Sequence, residues 1–149
     1  MSHVPHTHHV PIGSHPDDVR LSQAERRVFG NPSREAFWLL RIVFVAAPLL
    51  AGLDKFFNAL TDWQAYLSEP ARTLLGGSTE LMMYAIGIFE IVLAVGVALK
   101  PRIFGYAIAL WLIAIVILNL LPGGMYALAL RDVGLALSAI ALARLAAHQ

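Results

Sequence analysis

An all-α membrane protein, a bundle of four transmembrane helices, is what this sequence predicts, and three observations predict it. Of its 149 residues, 58% are hydrophobic and only 14% are charged, with a mean hydropathy of +0.65. A soluble domain would carry about 25% charged residues to keep its surface wetted. Four apolar runs follow one another, roughly 36–53, 81–99, 103–121 and 125–147. A span needs about 20 such residues at about 1.5 Å each. The later runs are separated only by Lys100–Pro101–Arg102 and by Pro122–Gly123–Gly124, and connections this short force antiparallel hairpins.

Taken in order, residues 1–19 are rich in Pro and His, lack any hydrophobic period, and read as a flexible tail. His6, His8 and His9 would offer Zn, Cu or Ni loose imidazole ligands. With no fixed geometry and no anionic ligand beside them, they make no dedicated metal site. Residues 20–35 read as a cytoplasmic surface helix and linker. Ser22 and Glu25 form a capping box and Gly30 a stop, which predicts a short helix over 22–29. Asn31 can then cap a new helix with Pro32 in its first position, and Arg26, Arg27 and Arg34 suit anionic headgroups. The first apolar run begins too late for a cleavable signal, so none is expected.

Residues 36–149 are the predicted bundle. Pro48 removes the hydrogen bond to the Phe44 carbonyl and is expected to bend the first span. Between spans one and two, Phe56, Leu60, Trp63 and Leu67 recur at helical spacing, with Asn58, Asp62 and Gln64 on other faces. That pattern predicts an amphipathic helix in the interface, with Trp63 and Tyr66 at headgroup level. Arg20, Arg26, Arg27, Arg34, Lys100, Arg102 and Arg144 lie on one side, against Lys55 and Arg72 on the other. The bias places both termini in the cytoplasm.

Composition also excludes function classes. The chain has no cysteine, so it holds no disulfide, iron–sulfur cluster or thiol relay. His3, His6, His8, His9, His15 and His148 all fall outside the spans, which excludes a haem held between membrane helices by histidine. A net charge of +1 argues against a nucleic-acid surface. The expected partners are the lipid bilayer and other membrane or peripheral subunits.

One carboxylate demands an explanation: Glu90, in the middle of Ile86–Gly96. A charge at the centre of a span costs about 2.5–3.5 kcal/mol, while each Leu, Ile, Phe or Val returns about 0.3–0.6. Ten such residues between Leu81 and Leu99 leave insertion favourable, so hydropathy permits Glu90 without explaining it. On a helix Glu90 shares a face with Met83, Gly87, Ala94 and Val97, and the small residues let a neighbouring helix approach. Depth nominates partners. Arg131 and Asp132 lie in the outer half of span four, with Arg131 within about 5 Å of the Glu90 level at 1.5 Å per residue. Asn119 ends span three and Asp54–Lys55 ends span one, where Arg41, Pro48, Gly52 and Lys55 form a stripe. The expected intramembrane polar site is therefore Glu90, Arg131, Asp132, Arg41, Lys55 and Asn119, with Glu90 paired to Arg131 and Lys55 as a further partner. Such charges serve either as buried pairs that fix packing or as a polar cavity for a small molecule or a proton.

Residues 39–56, Ile86–Arg102 and Arg131–Leu145 carry a family resemblance. The first has Arg41 near its start and Gly52–x–x–Lys55 at its end. The second has Gly87–x–x–Glu90 followed by a basic turn, and the third opens on Arg131–Asp132. In these features the chain resembles the DoxX family over about residues 37–145. The resemblance implies a four-helix membrane subunit of a quinone-linked oxidoreductase, such as thiosulfate:quinone oxidoreductase, or of assemblies with soluble redox-defence or sulfur-transfer proteins. It implies quinone as the cofactor, with Glu90, Arg131 and Asp132 around the headgroup and Arg41 and Lys55 in support. The alternative is a non-catalytic accessory subunit of a larger respiratory or photosynthetic complex. Either way the expected location is a prokaryotic cytoplasmic (inner) membrane. A transporter fits less well, because no internal inverted repeat is visible.

Overall fold

The computed structural model describes residues 32–76 and 78–148. They form α1 (Pro32–Phe57), a 3₁₀ turn (Trp63–Tyr66), α2 (Glu69–Leu75), α3 (Thr79–Leu99), α4 (Pro101–Ile115) continued by a π turn (Val116–Leu120), and α5 (Tyr126–Ala146). Four of these elements, α1, α3, α4 with its π turn, and α5, are long and apolar enough to cross a membrane, and the chain is a multi-pass membrane protein. The tail with His6, His8 and His9, the helix expected over 22–29 and the Asn31 cap lie outside the described residues.

The first span starts earlier than its apolar run. Pro32 opens α1, at the position where a missing N–H costs nothing. Residues 32–35 therefore belong to the spanning helix, not to a linker. Pro48 sits inside α1, where its ring denies the Phe44 carbonyl a partner. Asp54 and Asn58 end the helix. Asn58 takes a left-handed φ of 49°, which asparagine tolerates better than most residues. Its N–H donates to the Asp54 carbonyl at 2.6 Å, and Asp54 Oδ1 accepts from the N–H groups of Ala59 and Leu60, both at 2.9 Å.

That closure overrides the helical spacing that follows, and the single interfacial helix expected from Phe56, Leu60, Trp63 and Leu67 does not form. In its place Asp62 caps the 3₁₀ turn through Gln64 N–H at 3.0 Å, and Ser68 caps the separate helix α2. Pro70 in the first turn of α2 has no N–H to donate back to the Tyr66 carbonyl, so an unbroken helix through both pieces would lose that hydrogen bond.

Ser78 caps α3 by accepting from Leu81 N–H at 3.3 Å. Only Lys100 separates α3 from α4, whose first residue is Pro101. The main core gathers Phe37 and Phe44 of α1, Leu93 and Val97 of α3, Ile108 and Ala109 of α4, and Ala136, Ala139 and Leu142 of α5. Helix α5 presents a buried stripe of Ala129, Asp132, Ala136, Ala139 and Ala143. A Cβ placed on Gly105 of α4 would stand 2.9 Å from the Ala139 carbonyl oxygen, so the two helices meet backbone to backbone. Large apolar side chains such as Leu39, Ile42, Ile88, Leu110 and Leu137 are exposed. Outward apolar surface on this scale belongs in lipid.

The π turn has a positioning role. Its wider hydrogen bonds run from Leu121 N–H to the Val116 carbonyl and from Met125 N–H to the Leu120 carbonyl, both at 2.9 Å. Asn119 projects from this turn and spends its amide on the preceding loop. Its Oδ1 accepts from Ser68 N–H at 2.8 Å, and its Nδ2 donates to the Tyr66 carbonyl at 2.9 Å.

Candidate functional site

The Gly–x–x–Lys of α1 and the Gly–x–x–Glu of α3 face each other. Each glycine touches the other helix's backbone: a Cβ on Gly52 would lie 2.7 Å from the Gly87 carbonyl oxygen, and a Cβ on Gly87 2.7 Å from that of Gly52. No larger residue permits that approach. Phe56 and Tyr84 stack in parallel beside the crossing, with centroids 5.2 Å apart. Lys55 packs over Gly87 and Glu90 over Gly52, whose added Cβ atoms would stand 3.3 Å from Lys55 Cβ and 3.2 Å from Glu90 Cβ, so the crossing brings the two side chains together.

Lys55 Nζ donates to Glu90 Oε2 at 2.6 Å, with side-chain exposures of 5% and 11%. A buried ion pair of this kind persists only where the remaining protons and lone pairs are satisfied. Lys55 meets that condition. Nζ reaches the Ala51 carbonyl at 3.4 Å and stands 3.8 Å from the centroid of the Trp63 ring, a cation–π contact that gains strength away from water. The ring is held in turn by Asp54, whose Oδ2 accepts from Trp63 Nε1 at 2.7 Å. Asp54 thus both ends α1 and fixes the aromatic wall over Lys55. Asn119 supports the same wall, because it grips Tyr66 at the other end of the 3₁₀ turn.

Glu90 is less completely served. Trp111 Nε1 of α4 is enclosed and aimed at the carboxylate, short of full hydrogen-bond geometry. Its ring meets Phe89 edge to face at 4.8 Å. A buried N–H donor without a partner is costly. Lys55, Glu90 and Trp111 therefore offer a charged donor, a carboxylate and a neutral donor from three helices. Such a set can hold the polar end of an otherwise apolar molecule, and its carboxylate can exchange a proton.

The other residues expected at this site lie elsewhere. Arg131 does not pair with Glu90. Its side chain is 61% exposed and its Nε donates to the neighbouring Asp132 at 2.8 Å. Equal depth says nothing about direction, and successive helical residues point about 100° apart. Because Asp132 is buried in the α5 stripe, Arg131 faces away. Arg41 sits about 20 Å along α1 from Lys55 at 1.5 Å per residue. There it hydrogen-bonds the Ala98 carbonyl in the last turn of α3 and stacks on Trp38 at 5.0 Å. It caps a helix end. Asn119 is committed to the loop, as described.

Three residues of the cluster escaped the sequence reading. Asp54 was visible only as a span end, Trp63 as an interfacial anchor, and Trp111 as one more apolar residue. Trp111 did carry a signal: tryptophan concentrates at the membrane surfaces, yet this one lies about ten residues, or about 15 Å, into α4 at 1.5 Å per residue. No protein-family model matches this chain, and no curated protein or solved structure is similar enough to it to count as a relative.

Proposed function

We propose that this chain is the membrane subunit of a quinone-linked redox complex and that the Lys55–Glu90–Trp111 cluster receives the quinone headgroup. The observation that carries the reading is the buried ion pair at a glycine crossing with an unspent indole N–H beside it. The donor set fits: quinone carbonyls accept from Lys55 Nζ and Trp111 Nε1, while hydroquinone hydroxyls donate to the Glu90 carboxylate. A bound quinone supplies the electron-accepting chemistry. Lys55 orients, Trp63 and Asp54 keep water from Lys55, and Glu90 takes up or gives the proton. The chain has no cysteine, so electrons reach the site from a partner protein.

The same reading includes an antiparallel bundle of DoxX type in a prokaryotic inner membrane, with both termini cytoplasmic. The single-residue turn at Lys100 and the uneven spread of basic residues support it. An accessory, non-catalytic subunit is the second reading. The closure of Lys55 on Glu90 at 2.6 Å favours it, because a satisfied pair can simply hold two helices together.

The two readings separate experimentally. The protein is purified in mild detergent with its native lipids, and extracted quinone is counted per chain. The quinone reading expects near-equimolar retention that falls about tenfold, the equivalent of about 1.4 kcal/mol, in both Trp111→Phe and Glu90→Gln. Equal quinone in wild type and Trp111→Phe, with partner subunits still attached, would leave only the accessory role.

A further inference from the structure

Arg131 is a charged side chain on the outward side of a helix long and apolar enough to span a membrane. It is the sixth residue of α5, about 8 Å below the helix start at 1.5 Å per residue, and its side chain is 61% exposed. Ionisable groups inside a span face protein or water almost without exception. Asp132 takes only the Nε proton, which leaves both terminal nitrogens of the guanidinium directed outward. The same outer face is cut away below it. Ala127, Arg131, Gly134, Ser138 and Ala141 follow at helical spacing. A Cβ on Gly134 would meet nothing within 4 Å, and the Ser138 hydroxyl is folded back onto the Gly134 carbonyl at 2.9 Å. Leu130 and Leu137 stand exposed beside this trough.

We infer that this face of α5 docks a transmembrane helix of a different protein, one that carries a carboxylate at the depth of Arg131. A close-packed helix fits a trough of small residues, and a carboxylate satisfies the outward guanidinium fork in two parallel hydrogen bonds. A second copy of the chain does not fit. Two copies related by an axis along the membrane normal would bring Arg131 against Arg131 at equal depth. Asp132 cannot relieve them, because its side chain is 7% exposed and turned into the bundle. The inference rests on the subunit part of the reading above and is independent of the quinone.

The test places a photoreactive benzoyl-phenylalanine at Leu137, exposed beside the trough, in the full chain in its native membranes. The control position is Leu110, exposed on α4. Irradiation at Leu137 is expected to join α5 to one membrane helix of another protein, and the sequenced peptide should contain Asp or Glu. The yield should fall about tenfold or more, a loss of about 1.4 kcal/mol or more, in both Arg131→Gln and Gly134→Leu. A Cβ on Gly134 meets nothing within 4 Å, so Gly134→Leu leaves the bundle folded, whereas Arg131→Gln strands Asp132. Adducts only with lipid or with a second copy, a partner helix without a carboxylate, or a yield unchanged by Gly134→Leu would each overturn the inference. None of these results depends on quinone retention.

Discussion

Lys55→Met should destabilise the bundle by about 3–5 kcal/mol, the cost of leaving one member of a buried ion pair without its partner. The size of the effect is informative. Neutral hydrogen bonds between membrane helices are worth about 0.6 kcal/mol on average and about 1.7 at most. Reversible unfolding in mixed micelles, followed through the three tryptophans, measures Lys55→Met, Glu90→Gln and the double variant. Coupling between the two positions should exceed about 2 kcal/mol, above the neutral range. Replacing both by Met and Leu should recover most of the loss, since apolar residues of similar volume often substitute for a buried pair without penalty. Additive effects would show that the two side chains do not act on each other.

Gly52→Ala should also destabilise, and here the sign is decisive. On an unconstrained helix surface, alanine in place of glycine would stabilise by up to about 1 kcal/mol. At this crossing its methyl group would stand 2.7 Å from the Gly87 carbonyl oxygen and 3.0 Å from Ile91 Cγ1. A carbon approaches a carbonyl oxygen no closer than about 3.3 Å without strain, so the helices must part by about 0.6 Å. Overpacking of this kind costs about 1–3 kcal/mol, and the separation also lengthens the Lys55–Glu90 bond one turn away. Gly87→Ala makes the mirror-image clash. The double variant should therefore lose less than the sum of the singles, because the first methyl group already separates the helices. A stabilising Gly52→Ala would mean that α1 and α3 do not cross there.

The spans were legible because length and apolarity alone define them. The small face around Glu90 was legible too: Met83, Gly87, Ala94 and Val97 are all buried with it. What one-dimensional reasoning lacked was direction across the membrane plane. Depth ranked Arg131 beside Glu90, but the burial of Asp132 turns Arg131 outward, and the glycine crossing gives Glu90 to Lys55. The loop was misread for a related reason. Phe56 belongs to α1 and Trp63 to the 3₁₀ turn, and their regular spacing hid the stop at Asn58 that Asp54 enforces through two backbone amides. Trp111 went unseen because an indole in an apolar run counts as hydrophobic until its N–H is found without an acceptor.

The meeting of α1 and α3 is tested most directly by a solid-state NMR measurement of the coupling between Lys55 Nζ and the Glu90 carboxyl carbon in lipid. The chain has only two lysines, so Lys100→Arg leaves Lys55 as the sole labelled ammonium. Contact-range coupling to one glutamate, abolished by Glu90→Gln, is the predicted result. A Lys55 signal without carboxyl coupling, alongside coupling between an arginine guanidinium and Glu90, would contradict it and return Arg131 to the site.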